Sequence, residues 1–238
     1  MWNGFESKEF LFRECKATIV YPKGKPLGRM LYKPEYLSSF PAFDIAMLEK
    51  GYYVIHMQQK NRWAADEETH LMAEFVGYCA GELGASKGCV LEGLSLGGLQ
   101  AARFAQLYPE LTAVLYLDAP VLNIPSMAGL GSLQGDFVAW ARECIREAYG
   151  VEESALGDFR HSPIDHMDIL VEKQIPMIMV YGDADKVVNY GENGKLLEAY
   201  CREKGGLLET ICKPGCDHHP HGLEDPGPVV DFVERYFA

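Results

Sequence analysis

Residues 88–108 read GCVLEGLSLGGLQAARFAQLY. A short β-rich run, Gly88 to Glu92, leads into Gly93-Leu94-Ser95-Leu96-Gly97, and an amphipathic run follows at once. Strand, Gly-x-Ser-x-Gly, helix is the order of a nucleophile elbow. In such a turn the serine takes a strained backbone conformation that lifts its hydroxyl off the sheet, and the flanking glycines avoid collisions that a Cβ would cause. The helix starts beneath the hydroxyl, so its first free N–H, on Leu96, points to where a carbonyl oxygen would become negative. With nine serines and 24 glycines in 238 residues, chance yields about 0.1 matches to Gly-x-Ser-x-Gly before any demand on context. The plainer alternative is a glycine-rich turn whose serine only caps the helix.

Outward from this stretch, short β-rich runs alternate with longer amphipathic ones, which argues for an α/β fold. Strands are expected at Phe10–Arg13, Ala17–Tyr21, Arg29–Tyr32, Tyr52–Met57, Gly88–Glu92, Ala113–Leu117, Met177–Tyr181 and Leu207–Cys212. The later runs, such as VLYL and MIMVY, are almost wholly apolar, as strands covered by helices on both faces must be. Helices are expected at Ala42–Lys50, Asp66–Leu83, Leu96–Tyr108, Gln134–Tyr149, Gly191–Lys204 and Pro228–Tyr236. The interval 120–176 breaks the alternation. It is marked by Gly, Ser and Pro around one helix carrying Phe137 and Trp140, and it reads as a small lid inserted in a single domain spanning 1–238.

A serine hydroxyl is a weak nucleophile at neutral pH and needs a histidine to take its proton and a carboxylate to orient that histidine. The chain supplies both after later apolar strands. Gly182-Asp183-Ala184-Asp185 offers two candidate acids, and Pro214-Gly215-Cys216-Asp217-His218-His219-Pro220-His221 offers three candidate bases. The second cluster, with Cys212 and Cys216, also invites a zinc reading. Its spacing matches no finger or HExxH pattern, so no metal is expected. Gly129-Leu130-Gly131 follows no strand and does not complete a dinucleotide fingerprint.

Composition narrows the function further. Lys and Arg number 22 against 34 Asp and Glu, a formal net charge of −12, the wrong sign for a phosphate backbone. No window approaches the length of a membrane helix, and MWNGFESKEF lacks the basic start and apolar run of a secretion signal. Seven cysteines, an odd number without framework spacing, point to reduced thiols. A cytoplasmic protein with no nucleic-acid or membrane partner is expected.

On its elbow, acid turn and histidine loop, the sequence resembles the α/β-hydrolase superfamily over nearly its whole length. Within it, GLSLGG and HHPHGLEDP resemble small bacterial serine esterases grouped loosely beside prolyl-oligopeptidase-type hydrolases. The resemblance implies a mostly parallel eight-stranded sheet with helices on both faces. It implies Ser95 as nucleophile, Asp185 as the acid of a Gly-x-x-Asp turn and His218 as the base of a Pro-Gly-x-x-His loop, with His219 the main rival. Asp183 is then left to bond backbone N–H groups of its own turn. The His-Gly-Gly-Gly loop of lipase-type relatives is missing. The chain reads Tyr32-Lys33-Pro34-Glu35-Tyr36 there, so the second oxyanion N–H is expected from Tyr32 or Lys33, whose side chains would also line the cleft. The implied function is hydrolysis of a small carboxylic ester, with a short or aromatic acyl group and a weak pointer to a carbohydrate-linked one, needing no cofactor. Met127, Phe137, Trp140 and Phe159 would form an apolar wall. The alternatives are a peptidase or amidase, disfavoured because no residues are spare for a large gating domain, and a non-catalytic ligand-binding protein of the same fold.

Overall fold

A computed structural model describes residues 1–237, in which strands β1 (Ser7–Phe12), β2 (Cys15–Val20), β3 (Met30–Tyr32), β4 (Tyr53–Met57), β5 (Cys89–Leu94), β6 (Thr112–Asp118), β7 (Met177–Gly182) and β8 (Leu208–Lys213) form one sheet. Their order across the sheet is β1-β2-β4-β3-β5-β6-β7-β8. The hairpin of β1 and β2 is antiparallel and β2 joins β4 antiparallel, while every pair from β4 onward is parallel. β1 starts ahead of the expected Phe10 because the edge of a sheet tolerates polar residues. Ser7, Lys8 and Glu9 pair with β2, and Lys8 and Glu9 face water.

The apolar strands serve both faces by alternation. Leu91, Leu115, Leu117, Met177 and Met179 belong to one core, with Phe75 and Val76 of α2 (Asp66–Leu83), Ala101 and Phe104 of α3 (Leu96–Leu107) and Leu197 of α6 (Gly194–Lys204). Val90, Val114, Tyr116, Ile178 and Val180 turn to the other core, against Met47 and Leu48 of α1 (Ala42–Glu49) and four side chains of α7 (Gly227–Tyr236). Each fully buried aliphatic or aromatic side chain contributes about 1.5–3 kcal/mol relative to exposure. α2 carries Asp66, Glu67 and Glu68 in its first turn, where acidic charge complements the helix dipole.

The interval 120–176 contains two further helices. α4 (Asp136–Tyr149) packs Ala141 and Ile145 into a third apolar cluster with Trp63, Leu96 and Val121, above the ends of the strands. α5 (Met167–Glu172) instead sends Leu170 and Val171 back into the first core. Its six residues are too few to show a helical period in the sequence. The signal that marks it is upstream: Ser162 and Asp165 form a reciprocal capping box at the turn that enters it. Among the described residues no helix is long and apolar enough to cross a membrane.

Candidate active site

β5, β6 and β7 lie side by side, and each leads at its C-terminal end into Ser95, Asp118 or Asp185. Ser95 follows β5 with φ 51° and ψ −118°, a backbone conformation that costs a non-glycine residue about 1–3 kcal/mol. Its surroundings hold it there. Ser95 N donates to Asp118 O at 2.9 Å, and Ser95 O accepts from Gly98 N at 2.9 Å and Val121 N at 3.0 Å. Two glycines allow the close approach: a Cβ on Gly93 would stand 2.6 Å from Gly98 Cα, and one on Gly98 would stand 2.5 Å from Pro120 Cβ. Gly98, the residue after the five-residue motif, is thus as tightly confined as Gly93 within it.

Asp185 sits in the turn after β7. Its Oδ1 accepts from Val187 N and Val188 N, both at 2.8 Å, which fixes the carboxylate so that Oδ2 lies 2.8 Å from His218 Nδ1. His218 Nε2 lies 3.0 Å from Ser95 Oγ. The three groups form one hydrogen-bonded chain across three strands. Asp183 takes a different partner from the one expected: its Oδ1 accepts from Gly215 N at 2.6 Å, in the histidine loop rather than its own turn. Asp217 Oδ1 accepts from Lys186 N and His218 N, and these two donors hold its carboxyl below the ordinary carboxylate range. The acid turn and the histidine loop are therefore stitched together from both sides.

His221 pairs with a different acid. Its Nδ1 lies 2.6 Å from Asp118 Oδ1, and Asp118 Oδ2 accepts from Gly222 N at 2.9 Å, so a second carboxylate–imidazole pair stands beside the first. His219 is exposed and stacks on Phe40, and burial of its ring together with the neighbouring His221 and His218 lowers its pKa.

Tyr32 and Lys33 are not where the sequence placed them. Tyr32 lies within β3, laddered to β4 and β5, with its ring buried against Phe75 and Phe104. Lys33 N donates to Ile55 O at 3.0 Å, so it continues the sheet and offers no free N–H. The Lys33 side chain is fully buried, with Nζ 2.6 Å from Asp44 and 3.2 Å from Glu92. Burial pushes the Glu92 carboxyl well up, helped by Asp44, while burial alone would lower Lys33 and the two acids hold it above its usual value. One cation between two acids is neutral when Glu92 keeps its proton. β3 ends at Tyr32 as its apolar pattern suggests, but one further ladder bond to Ile55 O uses the Lys33 N–H.

The loop after β3 supplies Tyr36, at φ 58°. Its hydroxyl accepts from Arg62 Nη2 at 2.7 Å, and Tyr36 lines the same cleft as Ser95. Arg62 is anchored in turn by Glu35, Nε to Oε2 at 3.0 Å. Neither Tyr36 nor Arg62 stands in a recognisable motif, and only the fold brings them together.

Ser95 opens into a cleft of about 350 Å³. Its lining combines the apolar Leu96, Val121, Met127, Phe137, Trp140 and Val187 with the polar Tyr36, Ser39, Arg62, His219 and His221. Phe159 is not part of the apolar wall, because it is buried edge-to-face against Tyr149 with ring centroids 4.9 Å apart. Phe137 and Trp140 are each 39% exposed and reach the cleft from α4.

The fold superposes on solved structures. An acylaminoacyl peptidase from Pyrococcus horikoshii matches with a TM-score of 0.74 at 13% identity, over 98% of this chain and 42% of that one. The chain has the α/β-hydrolase fold. A puromycin-hydrolysing peptidase from Mycobacterium tuberculosis matches with a TM-score of 0.69 at 14% identity, over 97% of this chain and 38% of its own. A protein described as a lipase from Acinetobacter baumannii AYE matches with a TM-score of 0.60 at 16% identity, over 99% of this chain and 92% of its own. The chain therefore spans less than half the length of the two peptidases. No protein-family model matches the sequence, and no curated protein matches it.

Proposed function

We propose that the protein is a serine hydrolase that cleaves a small carboxylic ester through an acyl-enzyme. The observation that carries this reading is the unbroken chain Asp185 Oδ2–His218 Nδ1 at 2.8 Å and His218 Nε2–Ser95 Oγ at 3.0 Å, opening into a cleft. Ser95 Oγ attacks the carbonyl carbon and passes its proton to His218 Nε2, while Asp185 holds the imidazole in the tautomer that leaves Nε2 free to accept. His218 then gives the proton to the departing alcohol. Water then enters, gives a proton to the same nitrogen as its oxygen attacks the acyl carbon, and His218 returns that proton to Ser95 Oγ as the acid leaves.

The developing oxyanion is stabilised from two sides. Leu96 N–H opens α3 and belongs to the helix turn that has no carbonyl partner of its own. The second donor is the Tyr36 hydroxyl: because its oxygen already accepts from Arg62, its own proton is free to point at the substrate. This takes the place of the N–H expected from Tyr32 or Lys33.

The apolar side chains of the lining suit a short or aromatic acyl group, and the polar Ser39, Arg62 and His219 suit a hydroxylated alcohol such as a sugar. All seven cysteines are free, which suits action in the reducing cytoplasm. An amide substrate is the second reading, favoured by the names of the two peptidase neighbours.

The test is hydrolysis of a nitrophenyl ester series from acetate to octanoate with methyl ferulate, beside aminoacyl nitroanilides and puromycin, in wild type and Ser95→Ala. Ester turnover that vanishes in the variant is the expected result. Amide turnover exceeding ester turnover would move the assignment to a peptidase, and equal or absent rates in both proteins would overturn the hydrolase reading.

A further inference from the structure

The histidine loop holds more imidazole than a proton relay uses. The ring centroids of His218, His219 and His221 form a nearly equilateral triangle with sides of 4.8, 4.7 and 4.9 Å. Taking one ring nitrogen from each, all three lie within 4.8 Å of one another. Neither cysteine of the loop region competes for that centre: Cys212 is exposed on β8, and Cys216 Sγ is engaged with His219 O.

The second observation is the state of His221. Its Nδ1 is committed to the buried Asp118 carboxylate, and its Nε2 is buried without a hydrogen-bond partner. Burying a polar nitrogen that bonds nothing costs free energy, so an occupant that satisfies it gains what the protein has already given up. A carboxylate on Nδ1 also fixes the lone pair on Nε2 and makes it more basic. That is the outer-shell arrangement of metal-binding histidines. His218 has the same arrangement, with Asp185 on Nδ1 and Nε2 turned towards Ser95. Two of the three imidazoles are thus set up as donors by separate carboxylates, on neighbouring strands, that also supply negative charge behind them.

We propose that His218, His219 and His221 form a binding site for a divalent transition ion, with Zn2+ the best match, and that the ion switches the enzyme off. Three imidazoles with an open fourth position suit tetrahedral zinc, at nitrogen distances of about 2.0–2.1 Å. Reaching that geometry needs each ring to close on the centre by about an ångström, which His219, exposed on its loop, accommodates most easily. Coordination takes the lone pair of His218 Nε2, the same pair that accepts the Ser95 proton. An ion-loaded site therefore cannot activate Ser95, and no bond to substrate is made or broken. The binding stands on geometry alone, whereas the inhibition rests on the hydrolase reading above.

The experiment is calorimetric titration of ZnCl2 into chelator-treated, desalted protein, with Co2+ absorption in the visible range as a report of tetrahedral nitrogen ligation. Ser95→Ala is the reference protein, because it keeps all three imidazoles and makes the binding result independent of whether the chain hydrolyses anything. One ion per chain is expected, with affinity weakened at least about tenfold in His219→Ala and more in His221→Ala, and about 10–100-fold in Asp118→Asn through the outer shell. Circular dichroism checks that each variant is folded, and His219→Ala carries the argument if the buried His221 variant is not. Absence of binding, binding unchanged in both histidine variants, or binding lost only in Cys212→Ser or Cys216→Ser would each overturn the site. In wild type, micromolar Zn2+ that binds without slowing ester hydrolysis would overturn the switch and leave the site.

Discussion

Two carboxylate–imidazole pairs lie next to each other at the strand ends, and they differ in what the far nitrogen meets. In Asp185–His218 the carboxylate approaches Nδ1 at 2.8 Å and Nε2 faces Ser95 Oγ at 3.0 Å. In Asp118–His221 the carboxylate approaches Nδ1 at 2.6 Å and Nε2 faces no hydrogen-bond partner. Residue types and pairing geometry are almost the same, so neither confers a catalytic role. What separates the pairs is the strand that leads into Ser95: His218 reaches the strained turn after β5, whereas the Asp118 backbone carbonyl is spent on holding that turn through Ser95 N.

The comparison is broken most severely by removing the charge that orients each imidazole. Asp185→Asn is expected to lower kcat for ester hydrolysis by on the order of 10³–10⁴-fold, since the amide favours the wrong tautomer. Asp118→Asn is expected to cost less than about tenfold in kcat, and it lowers stability by about 1–3 kcal/mol as buried donors lose a charged acceptor. Steady-state kinetics beside urea unfolding of both variants tests this, and equal losses of kcat would abolish the distinction between the pairs. Next in size is Tyr36→Phe, which removes one oxyanion donor without touching either pair and is expected to cost about 10²–10³-fold in kcat with KM little changed. A KM effect alone would make Tyr36 a substrate-binding residue.

A third acid, Glu92 on β5, extends the comparison with the smallest effect. It has a lysine rather than an imidazole for its partner, and its pKa is raised by burial and by Asp44. A raised carboxyl pKa favours folding below the unfolded value of 4.5 and loses that contribution as pH rises towards the folded value. Glu92→Gln lacks this dependence, so its stability relative to wild type is expected to improve between pH 4.5 and pH 8 by denaturant unfolding. A difference that stays constant with pH would mean that Glu92 is ionised in the folded protein.

Much of this was legible in the chain because it is local. Gly93 to Gly97 is a five-residue constraint, and the apolar runs at Ala113–Leu117 and Met177–Tyr181 have no polar side to hide, so all eight strands and the elbow stand out. The turns at the strand ends narrow the acid to Asp183 or Asp185 and the base to three histidines, and it is the resemblance to hydrolase turn patterns that picks Asp185 and His218. Asp118 was hidden for the opposite reason: it closes the run AVLYLD, looks like the end of a core strand, and meets His221 only across 103 residues. Tyr36 was hidden by register. The Lys33 N–H carries on the β3 ladder by bonding Ile55 O, and the first residue of this loop to line the cleft is Tyr36, with a phenol. α5 was missed because six residues of DILV-type sequence carry no period of their own and become helical by packing on the first core.

Trp140 has one further consequence. It is partly exposed on α4 with its ring centroid 5.9 Å from that of the fully buried Trp63, and it lines the same cleft as Ser95. The indole emission of one residue is therefore coupled to the polarity of the space an acyl group would enter. The protein carries an intrinsic optical probe of its own occupancy, readable without a label and without turnover.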